Sequence, residues 1–340
     1  MKLSIAMATF NGERNIGAQL ESFLSQTRLP DELIVCDDGS SDETLPIVEA
    51  FAKRAPFPVM VYRNEANLGY TKNFETAARR CRGDIVFFSD QDDVWLPRKM
   101  EAVEAAFRAD DSKLLFVHDG KIVDRDLRWR GATKLGQVKS GWGANMGLAT
   151  GALSAMHRDL KSIAFPIPDE IVGHDWWIYA IARGLKVDGV IEEPLQLIRR
   201  HGENTSTWVA SSVARINKMD VLVSQMRTEP ASSYKDRLDY NNCLAERLTR
   251  VREASGCRFR AGVIDAALAE LEVEMSALLR RSELVDAGFL AQKRIALEML
   301  AQGKYRHFNG VRSFLRDIVR REWGRPSAPG GNAACLEKSH

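Results

Sequence analysis

No run of the chain approaches the roughly 18 consecutive apolar residues that a membrane-spanning helix needs, so nothing in it reads as a transmembrane segment. The apolar start, Met1 to Phe10, passes at once into Asn11-Gly12-Glu13-Arg14, too soon for a signal peptide, and reads instead as a first strand. Cysteine is scarce and unpatterned. The five, Cys36, Cys81, Cys243, Cys257 and Cys335, are odd in number and include no Cys-x-x-Cys. That argues against a disulfide frame or a structural zinc site and for a reducing cytoplasm. An excess of one charge is missing too: 48 Lys and Arg stand against 46 Asp and Glu, a net +2. The molecule as a whole is no polyanion binder, nucleic acid is not an expected partner, and any basic surface must be local. Neither the dinucleotide G-x-G-x-x-G nor the P-loop G-x-x-x-x-G-K-[ST] occurs. Phosphate handling then falls to a metal rather than to a glycine-rich helix start. There is no internal repeat.

What is present is an ordinary globular composition, 45% hydrophobic and 28% charged over 340 residues, enough for one large domain or two. Residues 1 to about 125 alternate strand and helix patterns, the mark of a parallel α/β sheet. Strands are expected at Leu3 to Ala8, Leu33 to Cys36, Val59 to Tyr62, Ile85 to Phe88 and Leu114 to Val117, with helices between them. Glycines crowd 126–156, which predicts an irregular crossing with short strands. A helix is expected from His174 to Gly184, then strands at Val187 to Ile191 and Leu195 to Arg199. Beyond about 208 only helix-forming runs remain. Residues 305–323 read as an amphipathic helix with Phe308, Val311, Phe314, Leu315, Ile318, Val319 and Trp323 on one side and arginines around it. Such a helix packs on its own domain or lies at a membrane surface. The expected organisation is a catalytic domain at 1–208, a helical region at 209–325 open to use as a dimer interface, a membrane contact or an acceptor platform, and a disordered tail at 326–340.

The chemistry-bearing stretch is Ser89-Asp90-Gln91-Asp92-Asp93-Val94-Trp95. It follows an apolar strand, and in open α/β sheets ligands sit beyond the carboxyl ends of strands. Three carboxylates within four positions repel one another, and a divalent cation relieves that repulsion; Mg²⁺ and Mn²⁺ favour carboxylate oxygen and bridge to phosphates. The plain alternative is a solvated acidic loop. Three further loops fall on the same sheet edge: Thr9 to Glu13, Cys36 to Ser40 and Asn64 to Tyr70. Each has a plain alternative as well. Asp37-Asp38-Gly39-Ser40 makes an ordinary turn and cap, and Asp175 at a helix start complements the helix dipole.

Taken in order, Ala8-Thr9-Phe10-Asn11-Gly12, Val35 to Asp42, Asn64 to Tyr70, Ser89 to Trp95 and Gly173-His174-Asp175-Trp176-Trp177 resemble the motifs of glycosyltransferase family 2, inverting enzymes of the GT-A fold. The last piece, with Glu192 to Leu195 and Arg200 to Asn204 downstream, is most similar to a bacterial rhamnosyltransferase-type subgroup. The resemblance covers residues 1 to about 208. It implies a mixed, Rossmann-like sheet, a divalent metal (Mn²⁺ or Mg²⁺), a dTDP- or UDP-sugar donor with rhamnose the first guess, and a glycan or lipid-linked glycan acceptor at the inner face of the plasma membrane. It implies that Thr9, Asn11 and Glu13 line the nucleotide pocket, and that Asp38, with Asp37 beside it, reads a uracil or thymine ring. Asn67 and Lys72 would lie near ribose or phosphate, and Asp90 and Gln91 near the donor. Asp92 would hold the metal with His201, supported by Asp93, and Asp175 would be the general base. Trp142, Trp176 and Trp177 are acceptor-site candidates, although at least one of the pair at 176–177 belongs in a core. Two rival readings remain open: a sugar nucleotidyltransferase, of whose basic glycine-rich loop Asn11 to Arg14 is a poor version, and a non-catalytic scaffold that binds nucleotide sugars.

Overall fold

A computed structural model describes residues 1–140, 149–200, 232–254, 259–308 and 310–319. These divide into two compact units, one drawn from Met1–Ser224 and Asp239–Ala269, the other from Gln225–Leu238 and Glu270–His340.

The first unit is built on a nine-stranded mixed sheet. Its strands are β1 (Leu3–Thr9), β2 (Glu32–Asp37), β3 (Val59–Arg63), β4 (Ile85–Ser89), β5 (Val94–Trp95), β6 (Leu115–Val123), β7 (Trp129–Thr133), β8 (Ser154–His157) and β9 (Asp188–Arg199). The order is β3-β2-β1-β4-β8-β6-β9-β5, with β7 paired to β6. The first four strands are parallel and in register, Thr9 opposite Asp37 and Met7 opposite Ser89, so their following loops emerge on one edge. β8 enters antiparallel between β4 and β6. Strands β1 and β4 are buried along their whole length, as expected where helices cover both faces. Ile85, Val86, Phe87 and Phe88 are at most 1% exposed, and each such side chain contributes about 1.5–3 kcal/mol. That anchors the root of the acidic loop. The helices are α1 (Ile16–Leu24), α2 (Thr44–Ala52), α3 (Gly69–Arg80), α4 (Lys99–Ala109), α5 (Lys134–Lys139), α6 (Arg158–Ala164) and α7 (His174–Gly184), with a 3₁₀ turn at Gly151–Leu153.

Two expectations are corrected. The strand expected to stop at Val117 continues to Val123 through His118-Asp119-Gly120-Lys121. Asp119 can be buried there because its Oδ1 accepts hydrogen bonds from the backbone of Gly120 (2.7 Å) and Leu135 (2.8 Å). The two strands expected either side of Glu193-Pro194 are one, Asp188–Arg199. An irregular register against β6 at Asp119 absorbs the proline without ending the ladder.

The described residues after 231 are helical, in α8 (Ser232–Glu253), α9 (Ala261–Asp286), α10 (Phe289–Ala301), a 3₁₀ turn (Lys304–His307) and α11 (Val311–Val319). No helix among them is long and apolar enough to cross a membrane. In the second unit Leu284, Ile295, Ala296, Met299 and Tyr305 form a core against which Phe308, Phe314 and Ile318 pack. The single helix expected over 305–323 is interrupted at Gly310, where φ is +58°. Val311 and Leu315, expected on its apolar side, are 63% and 53% exposed. Asp317 is buried in their place, paired with Arg281 at 3.1 Å and accepting from the Tyr305 hydroxyl at 3.0 Å.

Candidate active site

The acidic loop leaves β4 as designed by position: one ligand atom each from Asp90, Asp92 and Asp93 lies within 4.8 Å of the others. Burial pushes the Asp90 carboxyl up to about 7, reinforced by the charges of Asp92 and Asp175 and opposed by Lys99. Burial likewise holds Asp93 well above the usual carboxylate range, with Asp92 and Asp90 adding to it and the Arg199 N–H opposing. Crowded carboxylates of this kind are relieved by a cation, so the donor set fits Mn²⁺ or Mg²⁺. The three are not equivalent. Asp93 spends both oxygens inside the protein, accepting from the Arg199 backbone N–H (2.9 Å) and the Gln196 side-chain amide. Asp93 thereby braces the acidic loop against β9.

Gln91, between them, is a structural lock. Its amide makes a two-point pair with the Phe10 backbone, N–H and C=O each at 2.9 Å. It ties the acidic loop to the loop after β1. A Cβ on Gly12 would stand 2.3 Å from Gln91 Oε1, so glycine there is what lets the two loops meet.

Asp175 sits in the first turn of α7, after Gly173, whose φ of +101° makes the turn into the helix. Its Oδ1 accepts from the Trp176 N–H (2.9 Å) and its Oδ2 from the Gly151 N–H (3.2 Å). These two bonds orient a part-exposed carboxylate whose charge reaches Asp90, Tyr70 and Lys134. His174 beside it is buried, stacked on Phe74 with ring centroids 4.1 Å apart, and neither ring nitrogen has a hydrogen-bond partner among the described residues. Burial pushes that imidazole below its usual range, with Asp175 opposing.

The loops after β1 and β2 are knitted to each other. Asp37, wholly buried, accepts from Gly39 and Ser40 backbone N–H groups and from the Ser40 and Thr9 hydroxyls. Thr9 thus spends its hydroxyl within the protein. Asn11, at φ +46°, accepts from Ser41, and Glu13 from the Glu43 N–H. Asp38 accepts from Asn64 Nδ2 (2.9 Å) and the backbone of Leu68 (2.8 Å) and Gly69 (2.9 Å). It caps α3, and of the roughly four acceptor sites of a carboxylate one is left for a ligand. Asn67 is exposed and donates to the Asp38 carbonyl at 3.2 Å.

Some expected residues stand elsewhere. Lys72 is held by the Ile167 carbonyl (2.5 Å) and Asp169 (2.7 Å), so its charge is already committed to that segment. Trp177 is wholly buried and gives its indole N–H to Ala164 (2.8 Å); it is a core residue, not an acceptor platform. Trp176 is 40% exposed. Trp142 and His201 lie outside the described residues.

Four cations at the site were not read from the sequence. Lys99 is fully buried and donates to Gln196 Oε1 (2.6 Å) and Ala152 O (2.8 Å). Arg199 donates to the Asp92 carbonyl at 2.8 Å. Arg200 faces the charges of Asp92 and Asp93. Lys134, buried at the start of α5, is pushed down to about 8 by burial and by Arg200, with Asp175 opposing. The available signal was lysine or arginine at a helix start or strand end near the acidic loop, but surface cations look the same in sequence.

Residues 4–162 match the model for glycosyl transferase family 2. An uncharacterized glycosyltransferase of a Nostoc species is 26% identical over 252 residues, 71% of this chain and 77% of that protein. The Escherichia coli UDP-Glc:α-D-GlcNAc-diphosphoundecaprenol β-1,3-glucosyltransferase WfgD is 36% identical over 99 residues, 29% of this chain and 38% of the enzyme. The chain therefore spans well under half the length of that relative. Among solved structures, S. aureus TarS 1–349 with UDP-GlcNAc superposes with a TM-score of 0.55 at 18% identity, covering 94% of this chain and 88% of that one. That likeness concerns the fold. Over residues 4–162 the chain is thus similar to glycosyl transferase family 2, and its curled mixed sheet is that of the GT-A fold.

Proposed function

We propose that the protein is an inverting glycosyltransferase that moves a sugar from a nucleoside-diphosphate sugar to a glycan acceptor in bacterial surface polysaccharide synthesis. The observation that carries the reading is the acidic cluster at the end of β4 within electrostatic reach of one further oriented carboxylate, Asp175. When bound, a divalent cation at Asp90 and Asp92 supplies Lewis-acid stabilisation of the departing diphosphate. Arg200, whose charge acts on Asp92 and Asp93, and Lys134, whose charge acts on Arg200 and Asp175, add positive charge near these carboxylates. Asp175 takes the proton of the acceptor hydroxyl as that oxygen bonds to the anomeric carbon and the nucleoside diphosphate leaves. General base catalysis of this kind contributes roughly 10²–10⁴-fold. Attack from the face opposite the leaving group inverts the anomeric centre. Asp38, Asn67, Asn11 and Glu13 lie on the loops that would enclose the nucleoside, Gln91 holds the donor loop in place, and Trp176 offers a ring to the acceptor.

A UDP-sugar is supported by the name of the E. coli relative and a lipid-linked acceptor by the same name. The His174-Asp175-Trp176-Trp177 motif keeps dTDP-rhamnose in the donor screen. Contact with the inner membrane face would use α11, where Val311 and Leu315 are exposed beside Arg312 and Arg316. Dimerisation would use the same helical region. The test is incubation with UDP- and dTDP-sugars and a lipid-linked glycan, with and without Mn²⁺. Metal-dependent release of nucleoside diphosphate with an elongated glycan supports the proposal. Formation of pyrophosphate, or binding without turnover across the screen, ends it.

A further inference from the structure

The Lys99 amino group is held on three sides. Nζ donates to Gln196 Oε1 at 2.6 Å and to the Ala152 carbonyl at 2.8 Å, and it lies 3.7 Å from the centroid of the Trp95 ring. The side chain is wholly buried and its partners come from chain positions 53 and 97 residues away. Each hydrogen bond leads somewhere. Lys99 donates to the Gln196 oxygen, and the amide N–H₂ of Gln196 is thereby turned toward Asp93, the carboxylate that braces the acidic loop. Ala152 is the middle residue of the Gly151–Leu153 turn, and the Gly151 N–H at the head of that turn orients Asp175.

We propose that Lys99 is a positioning residue that holds the cation-binding loop and the general base in one fixed relation, grasping the first through Gln196 and Asp93 and the second through the turn at 151–153. The turn carries no side chain of its own to the base, and Asp93 and Asp175 share no direct bond, so this amino group is where the two supports meet. Burial pushes the Lys99 amine well below its usual range, opposed by Asp93 and Asp90, so the link is carried by its hydrogen bonds. The inference rests on the assignment of Asp90 and Asp92 to a cation and Asp175 to the acceptor's proton, and it adds the residue that keeps their spacing.

The test compares the full chain with Lys99→Met and Gln196→Met, using Mn²⁺ with UDP as probe for affinity and donor-saturated turnover for the base. Lys99→Met releases both arms, and is expected to weaken Mn²⁺-assisted UDP binding by about tenfold and lower kcat by about tenfold, as removal of a supporting partner around a metal site does. Gln196→Met releases one arm, and is expected to weaken Mn²⁺-assisted binding alike while leaving kcat within about twofold. If both variants melt earlier but keep wild-type affinity and kcat when folded, Lys99 is only a core residue and the inference is overturned. If Lys99→Met does not fold, Gln196→Met decides, and unchanged Mn²⁺-assisted affinity overturns it. Wild-type protein that binds UDP without help from Mn²⁺ defeats the underlying assignment instead, and so separates the two failures.

Discussion

Replacing Asp175 by Asn removes the proton acceptor and keeps the shape. If Asp175 is the base, turnover should fall about 10²–10⁴-fold, equal to roughly 2.7–5.4 kcal/mol at about 1.36 kcal/mol per decade. The structural side effect can be worked out as well. The carboxylate accepts one N–H on each oxygen, from Trp176 and from Gly151. An asparagine has one oxygen, so in either orientation its N–H₂ group faces one of those donors. A donor left unpaired costs about 1–3 kcal/mol when buried, and Asp175 is only partly buried, which puts the cost near the lower figure. For domains of about 150–250 residues that is a fall in Tm of roughly 2–4 °C. In free energy the catalytic loss is therefore about three to five times the structural one. Steady-state kinetics at saturating donor, calorimetry with UDP and Mn²⁺, and a melting curve read the three quantities separately. Nucleotide affinity should stay within about threefold. A variant with kcat within fivefold of wild type refutes the base assignment, and one whose affinity collapses with its turnover shows that Asp175 belongs to the donor site.

Asp92→Ala should abolish the increment that Mn²⁺ adds to UDP affinity, and calorimetry that finds the increment intact contradicts the cation site. The raised Asp90 carboxyl gives a pH dependence of defined sign. Its ordinary value is 3.8 and its folded value about 7, so the folded state binds the extra proton, and the contribution is complete below about pH 4 and lost as pH rises through 7. A cation competes with that proton, so Mn²⁺ should raise Tm more at pH 8 than at pH 5.5; equal shifts would mean that Asp90 does not ligate. Trp177→Ala should destabilise by about 3–5 kcal/mol, as expected for a buried indole, whereas Trp176→Ala should leave Tm nearly unchanged and raise KM for acceptor alone. Loss of Tm in the second variant instead of the first would reverse the two assignments.

Local pattern carried much of the fold. Runs such as Ile85 to Phe88 declare buried strands because each residue contributes apolar area whatever its neighbour, and the following Asp90, Asp92 and Asp93 declare a charge problem within one loop. The helix at His174–Gly184 and the loops after β1 and β2 were readable on the same terms. Corrections came where a distant partner changes what a residue can afford. Polar His118 to Lys121 looked like a strand end until Leu135 supplied a hydrogen bond to Asp119. Lys72 looked available until Asp169 took its charge. Neighbours Asp37 and Asp38 are indistinguishable by composition, yet one is consumed by its own turn and the other caps α3.

By itself the sequence determined the alternation of strands and helices through 125, the place of the acidic loop at a strand end and the position of Asp175 in the first turn of a helix. These depend on periodicity and on groups within a few residues of one another. Only the tertiary structure decided that β8 runs antiparallel between β4 and β6, that Gln91 clasps Phe10, and that Lys99 sits beneath the site. Those choices are made by pairings across roughly 50 to 100 residues of chain, where each group is satisfied by a partner whose identity no local pattern encodes.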